Sequence, residues 1–210
     1  MRRSLRIKKG MEVELLKKIP VGAGLGGGSS DAACALWGGW ILWKGGIKDF
    51  LNRKKKVPEI LGACAKKLGA DVAFFLRGGC AIGEGRGEKL TPISVFPGRW
   101  LVLVYPRVHV STAKAYSMLD RLRRAPAGAP ASGGRARGDP LGNDFESVIF
   151  SNFPQIENVS KILQNMGCSD VLMTGSGSAV FGFVNSRKMG ARIVRALSKK
   201  PWDVFLEKTI

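Results

Sequence analysis

Apolar and polar residues alternate over Met11-Glu12-Val13-Glu14-Leu15, a period of two that predicts a strand running toward Pro20. A glycine-rich stretch follows, and Ser29, Ser30 and Asp31 then open an apolar segment, residues 32–37, built of good helix formers. Hydroxyl and carboxylate oxygens at that point suit a helix N-terminus, where they accept from otherwise orphaned N–H groups. A second helix is expected over 57–68, stopping at Gly69, and Trp100–Tyr105 is a continuous apolar run of buried-strand type. Further along, helices are expected at 111–123, 157–166 and 187–198. Strands are expected at 171–173, Val180–Val184 and 202–206, with a glycine turn at 174–178. This last third follows a β-α-β-β-α-β pattern, which packs helices on one face of a small sheet. Residues 125–139 (APAGAPASGGRARGD) cannot bury enough surface to order themselves, and they read as a flexible loop or an interdomain linker.

Composition sets bounds on this picture. A chain of 210 residues with 45% apolar and 24% charged positions can bury a core in one large domain or two small ones. No apolar run approaches the ~18 residues of a membrane span. Cys34, Cys64, Cys80 and Cys168 are scattered without a C-x-x-C pair, so neither a zinc site nor a disulfide framework is implied, and no metal-ligating residues are singled out. The opening MRRSLRIKKG lacks the apolar core of a secretory signal, and a cytoplasmic location is expected. The outlier is a net charge of +18, concentrated in the first two thirds. It permits an anionic partner, whether nucleic acid, a phosphorylated metabolite or an acidic surface.

The densest chemical signal runs through Pro20, Val21, Gly22, Ala23, Gly24, Leu25, Gly26, Gly27, Gly28, Ser29 and Ser30. Five glycines within seven positions let backbone N–H groups converge on a polyanion that a Cβ would keep away. The loop feeds a helix N-terminus, whose free amides favour phosphate, and the two serines add hydroxyls for a phosphate oxygen or Mg²⁺. No Lys-Ser/Thr follows the last glycine, which excludes a Walker A loop. Glycine density and the lack of an acidic residue at a strand end ~20 positions on exclude the dinucleotide fingerprint.

Pro-x-x-x-Gly-Leu-Gly-Gly-Gly-Ser-Ser-Asp-Ala-Ala resembles the phosphate loop of the galactokinase, homoserine kinase, mevalonate kinase and phosphomevalonate kinase superfamily. The triple glycine before Ser-Ser-Asp-Ala-Ala is similar to one of its families, the 4-diphosphocytidyl-2-C-methyl-D-erythritol kinases of the non-mevalonate isoprenoid pathway. Leu68 to Phe75, Gly83 to Pro92, Ser111 to Tyr116, the Asn143-Asp144-Phe145-Glu146 element and Met173 to Phe181 resemble further segments of that family, in order along the chain.

The resemblance implies an α+β fold: a truncated N-terminal domain like the second domain of ribosomal protein S5, followed by a ferredoxin-like C-terminal domain. Residues 1–105 would bind ATP and 106–210 the substrate. ATP, with Mg²⁺, would phosphorylate the 2-hydroxyl of a cytidine-diphosphate-linked methylerythritol. Asp71 would be the catalytic carboxylate, and residues 20–30 would hold the nucleotide. Thr112, Tyr116, Gly175 and Ser176 would face substrate, Tyr116 through cytosine stacking. His109, the only histidine, and Glu84, Arg86 and Glu88 read as surface residues. The family also carries Pro-Ala-Lys-x-Asn-like and Gly-Tyr-His-like motifs that do not occur here, so the chain resembles the family without its first strands. Impaired turnover is the expectation, because Asp71 would lack its lysine partner. Two other readings stay open: a superfamily kinase acting on another small alcohol, and a basic nucleic-acid-binding module centred on Arg53, Lys54, Lys55 and Lys56.

Overall fold

The computed structural model describes residues 1–54, 56–85, 87, 89–93, 98–124 and 142–209. The low-complexity stretch 125–139, and with it the expected flexible loop, lies outside the described residues, as do Lys55, Arg86 and Glu88. The chain forms two compact units, Met1–Lys18 with Gly26–Val95 and Ile19–Leu25 with Phe96–Ile210.

The first unit is mainly helical, with α1 (Gly27–Lys44), α2 (Ile47–Leu51), α3 (Glu59–Leu68) and α4 (Ala70–Arg77). An antiparallel hairpin, β1 (Ala81–Glu84) and β2 (Lys89–Pro92), follows. Ala33, Leu36 and Trp37 on α1, Leu61 and Ala65 on α3, and Val72 and Leu76 on α4 form its core. Their spacings of three and four residues place each set on one helix face. Full burial of Leu61 and of Leu76 contributes about 1.5–3 kcal/mol apiece. The Trp37 indole N–H donates to the Leu76 carbonyl (2.9 Å), so the largest core side chain also satisfies its polar atom.

Two expectations are corrected here. Residues 11–15 form no strand: Val13, Leu15 and Leu16 are exposed, and no described strand pairs with them. Alternation proposes a strand, but a partner ladder is what makes one. The helix expected at 32–37 begins earlier, at Gly27, and takes in two of the loop glycines. Neither Ser29 nor Ser30 caps it, because Gly26 occupies that position without a side-chain hydrogen bond.

The second unit contains β3 (Trp100–Tyr105), α5 (Thr112–Arg124), α6 (Phe145–Asn152), α7 (Pro154–Asn165), β4 (Ser169–Met173), β5 (Val180–Val184), α8 (Arg187–Leu197) and β6 (Asp203–Lys208). Its sheet has the order β4-β5-β3-β6 with every pair antiparallel. The chain is thus α+β, and this unit has the strand order of a ferredoxin-like sheet. Val102 and Val104 on β3, Val180 and Val184 on β5, and Val171 and Met173 on β4 share a face. They form one core with Ala115, Ile149, Ile156, Val159, Leu163, Ile193 and Leu197 from α5 to α8. β3 pairs on both sides within this unit, with Val102 opposite Gly182 and Leu206, whereas the sequence places 100–105 at the end of the first domain. A buried apolar run identifies a strand without saying which sheet receives it.

Candidate functional site

The glycine-rich segment divides between the units after Leu25. In the second unit, Ala23 is buried at 1% exposure, and its carbonyl oxygen is held from two directions. The Thr174 hydroxyl donates to it (2.7 Å), and so does the Ala179 N–H (3.1 Å). Gly24 has φ +74°, and a Cβ there would sit 2.0 Å from the Thr174 carbonyl oxygen, so backbone meets backbone with no room for a side chain. Gly175 lies on the other side of the same contact, where a Cβ would come within 3.0 Å of the Gly24 carbonyl oxygen. The 174–179 turn closes on itself through Thr174 N–H to Ala179 O and Gly177 N–H to Thr174 O, both 2.8 Å.

The Asn143-Asp144-Phe145-Glu146 element braces this turn. Asn143 Nδ2 donates to the carbonyls of Met173 and Gly175, both at 2.8 Å, while its Oδ1 accepts from the Phe145 N–H (3.0 Å). Glu146, buried at 3% exposure, accepts from the Met173 N–H (2.7 Å). Ser178, fully buried, donates to the Val108 carbonyl. Asn143, Glu146 and Thr174 are therefore structural parts of the site that were not among the candidate residues. The signal was available, since buried polar side chains flanking a glycine turn need partners, and the turn's backbone supplies them.

Thr112, at the start of α5, and Ser176 bring their hydroxyls to 3.1 Å. Tyr116, one turn along, is 55% exposed, and its ring meets Phe145 edge-on (centroids 4.9 Å, 89°). The Tyr105 hydroxyl donates to the Val21 carbonyl (3.3 Å). His109 is exposed, as expected, yet its ring packs on Gly22, where a Cβ would fall 2.3 Å from Nδ1. The second unit thus brings Ala23 and Gly24 against the 174–179 turn, Val21 and Gly22 against Tyr105 and His109, and joins Thr112 to Ser176.

In the first unit, Gly26 takes the left-handed conformation (φ +63°) as the N-cap of α1. A Cβ on it would meet the Phe75 ring at 2.7 Å. Gly27, Gly28 and Ser29 form the first turn of α1, and such amides have no intrahelical acceptor. The Ser30 hydroxyl donates to the Gly27 carbonyl (2.8 Å). Lys17 forms an ion pair with Asp31, tying the incoming chain to the second turn of α1. Asp71 is exposed in the first turn of α4, on a helix whose Val72 and Leu76 are fixed in the core.

Among the described residues, Cys168 and Arg107 have displaced titrations. Burial pushes the Cys168 thiol above its ordinary value of 9.0. The Arg107 guanidinium is raised by its hydrogen bonds and charge attraction to Asp203. Neither touches the loop or the turn.

A loop of this kind opening a helix, backed by a glycine turn on an antiparallel sheet, is the arrangement of a GHMP kinase. Residues 1–79 match the family described as "GHMP kinases N terminal domain", and 118–203 match "GHMP kinases C terminal". Among individual proteins, the chain is 39% identical over 205 residues to the 4-diphosphocytidyl-2-C-methyl-D-erythritol kinase of Citrifermentans bemidjiense, covering 96% of this chain and 70% of that one. It is 37% identical over 198 residues to the enzyme of that name from Bacillus pumilus, covering 91% and 65%. A crystal structure of 4-(cytidine 5'-diphospho)-2C-methyl-D-erythritol kinase superimposes with a TM-score of 0.71 at 34% identity, over 91% of this chain and 68% of that one. The chain belongs to the 4-diphosphocytidyl-2-C-methyl-D-erythritol kinase family, and it spans about two thirds of the length of these relatives.

Proposed function

We propose that this chain transfers the γ-phosphoryl group of ATP to the 2-hydroxyl of 4-diphosphocytidyl-2-C-methyl-D-erythritol. The observation that carries the reading is the Ala23–Gly24 backbone locked against Thr174, Gly175 and Ala179. It fixes the shape of a glycine loop that leads directly into the first turn of α1. Residues 20–30 receive the nucleotide, with backbone amides and the N-terminal end of α1 neutralising phosphate charge. Asp71 accepts the hydroxyl proton or holds the alcohol in line, and positioning supplies most of the rate in such transfers. Thr112 and Ser176 present paired hydroxyls to substrate, Gly175 shapes the turn, and the exposed Tyr116 ring stacks on cytosine.

Mg²⁺ accompanies ATP in this reading. The Ser30 hydroxyl directs its proton to the Gly27 carbonyl, which leaves its oxygen lone pairs for a cation. Ser29 or Ser30, with the nucleotide's own oxygens, would hold the ion, which supplies charge neutralisation on the transferred group. The nucleotide-binding residues of this reading lie before β3 and the substrate-binding residues after it, and the reaction is read as taking place in the cytoplasm. Among the described residues, no helix is long and apolar enough to cross a membrane.

The test measures ADP release and acceptor binding with three alcohols: the cytidine-diphosphate-linked methylerythritol, mevalonate and homoserine. Binding and phosphorylation of the first alone support the proposal. Preference for either simple alcohol overturns it in favour of another superfamily substrate.

A further inference from the structure

Helix α8 carries a feature that the kinase reading does not use. Between Asp170 and Asp203 the chain contains no acidic residue, yet residues 187–200 hold Arg187, Lys188, Arg192, Arg195, Lys199 and Lys200. No carboxylate among the described residues pairs with any of the six. The spacing between Lys188, Arg192 and Arg195 is four and three, which puts them within about 60° of arc on one face of α8, and Lys199 follows in the turn after Leu197. All four are exposed, while Gly190, Ile193 and Leu197 bury the opposite face. From Lys188 to Arg195 the stripe runs for roughly 10 Å at helical rise. Lys188, Arg192 and Arg195, with Ser186, Met189 and Ala191, line a cleft of about 550 Å³.

The cations outside this stripe lie against two partly buried tryptophan rings. Arg187 lies over the Trp100 ring at 6.0 Å, with Lys208 on the same ring at 5.9 Å, and Lys200 lies over Trp202 at 6.0 Å. Four uncompensated cations cost electrostatic self-repulsion, which an apo surface relieves only by gathering anions. The exposed face of α8 carries alanines rather than large apolar side chains between its cations, so it has nothing to bury in a lipid interface. A row of exposed, unpaired cations beside a cleft is the arrangement that tracks a phosphate backbone.

We propose that the α8 face from Lys188 to Arg195, with Lys199 just beyond the end of the helix, binds single-stranded nucleic acid through its phosphates. This surface is separate from the sequence cluster at Arg53, which is folded in differently: that guanidinium lies 4.3 Å over the Phe50 ring and donates to the Phe50 carbonyl.

The test is fluorescence anisotropy of a labelled oligouridylate over a salt series from about 25 to 200 mM. Four phosphate contacts give a slope of log K against log salt near about −3, at roughly 0.7 per contact. The triple variant K188E/R192E/R195E should lose at least about tenfold in affinity at 50 mM salt and flatten the slope by about 2. A control of equal charge change on exposed lysines of the first unit, K8E/K66E/K67E, should lose less than about threefold. The neutral variant K188Q/R192Q/R195Q carries the same test if charge reversal prevents folding. Equal losses in variant and control would show diffuse attraction and overturn the proposal. So would no binding at the lowest salt, or binding confined to phosphatidylserine vesicles.

Discussion

The hydroxyl of Thr174 donates to the carbonyl oxygen of Ala23 at 2.7 Å, joining two glycine turns that stand 151 residues apart in the chain. One is the start of the loop that receives phosphate in the proposed reaction. The other is the turn between β4 and β5. Thr174 makes the conformation of the first depend on the sheet that holds the second.

Replacing Thr174 with valine keeps the shape of the side chain and removes the donor. The Ala179 N–H still serves the Ala23 carbonyl, so the loss should stay near the net value of one hydrogen bond, about 1 kcal/mol. Thr174→Ser should restore most of it. Urea denaturation of the three proteins measures the difference, and an unchanged valine variant would show that the bond does not support the loop.

Gly24→Ala should be far more disruptive. The new Cβ would meet the Thr174 carbonyl at 2.0 Å in a left-handed conformation, so backbone must move, at a cost of at least about 2 kcal/mol. Gly28→Ala is the comparison, because nothing lies within 4 Å of a Cβ there. Thermal unfolding and ATP affinity should both separate the two variants.

Glu146 is buried and accepts from the Met173 N–H (2.7 Å). Glu146→Ala should destabilise the second unit by about 1–3 kcal/mol, since it strands a buried backbone donor. Glu146→Gln keeps a carbonyl acceptor and should cost less. Hydrogen exchange at Met173 reports the bond itself, and equal protection in all three proteins would contradict its role.

Asp71→Asn tests the chemistry. Its neighbours Val72 and Leu76 hold α4 in place, so the substitution should leave the melting temperature alone. Turnover should fall by about 10²–10⁴-fold, with nucleotide affinity retained. A variant that still turns over at the parental rate would remove Asp71 from the mechanism.

Cys168 sets a pH dependence. Burial raises its thiol above 9.0, so the folded chain holds that proton more tightly than the unfolded chain does. Its contribution is complete below pH 9.0 and is lost as pH rises through the higher folded value. Cys168→Ala should flatten the fall of stability on the alkaline side. Thiol alkylation under native conditions should reach exposed Cys34 first.

Short-range information in the chain was sufficient for the glycine loop and most of the second unit. Val180–Val184 occupies the expected residues, and α8 closes one residue before its expected end, because period and capping act over a few positions. Local pattern failed where the outcome depended on a distant partner. Residues 11–15 alternate like a strand but have no described strand beside them, and α2, α6 and the β1–β2 hairpin carry periodicity too short to stand out. Asn143 and Glu146 were visible as a motif, yet their work on the Met173–Gly175 backbone required the fold to bring them there.

The composition and order of residues 20–30 settle that a backbone cradle can form, since glycine density and a helix start are properties of neighbours along the chain. Folding settles its shape and its supports. A carbonyl such as that of Ala23 takes whichever donors lie nearest in space, and those come from Thr174 and Ala179, in the turn between β4 and β5.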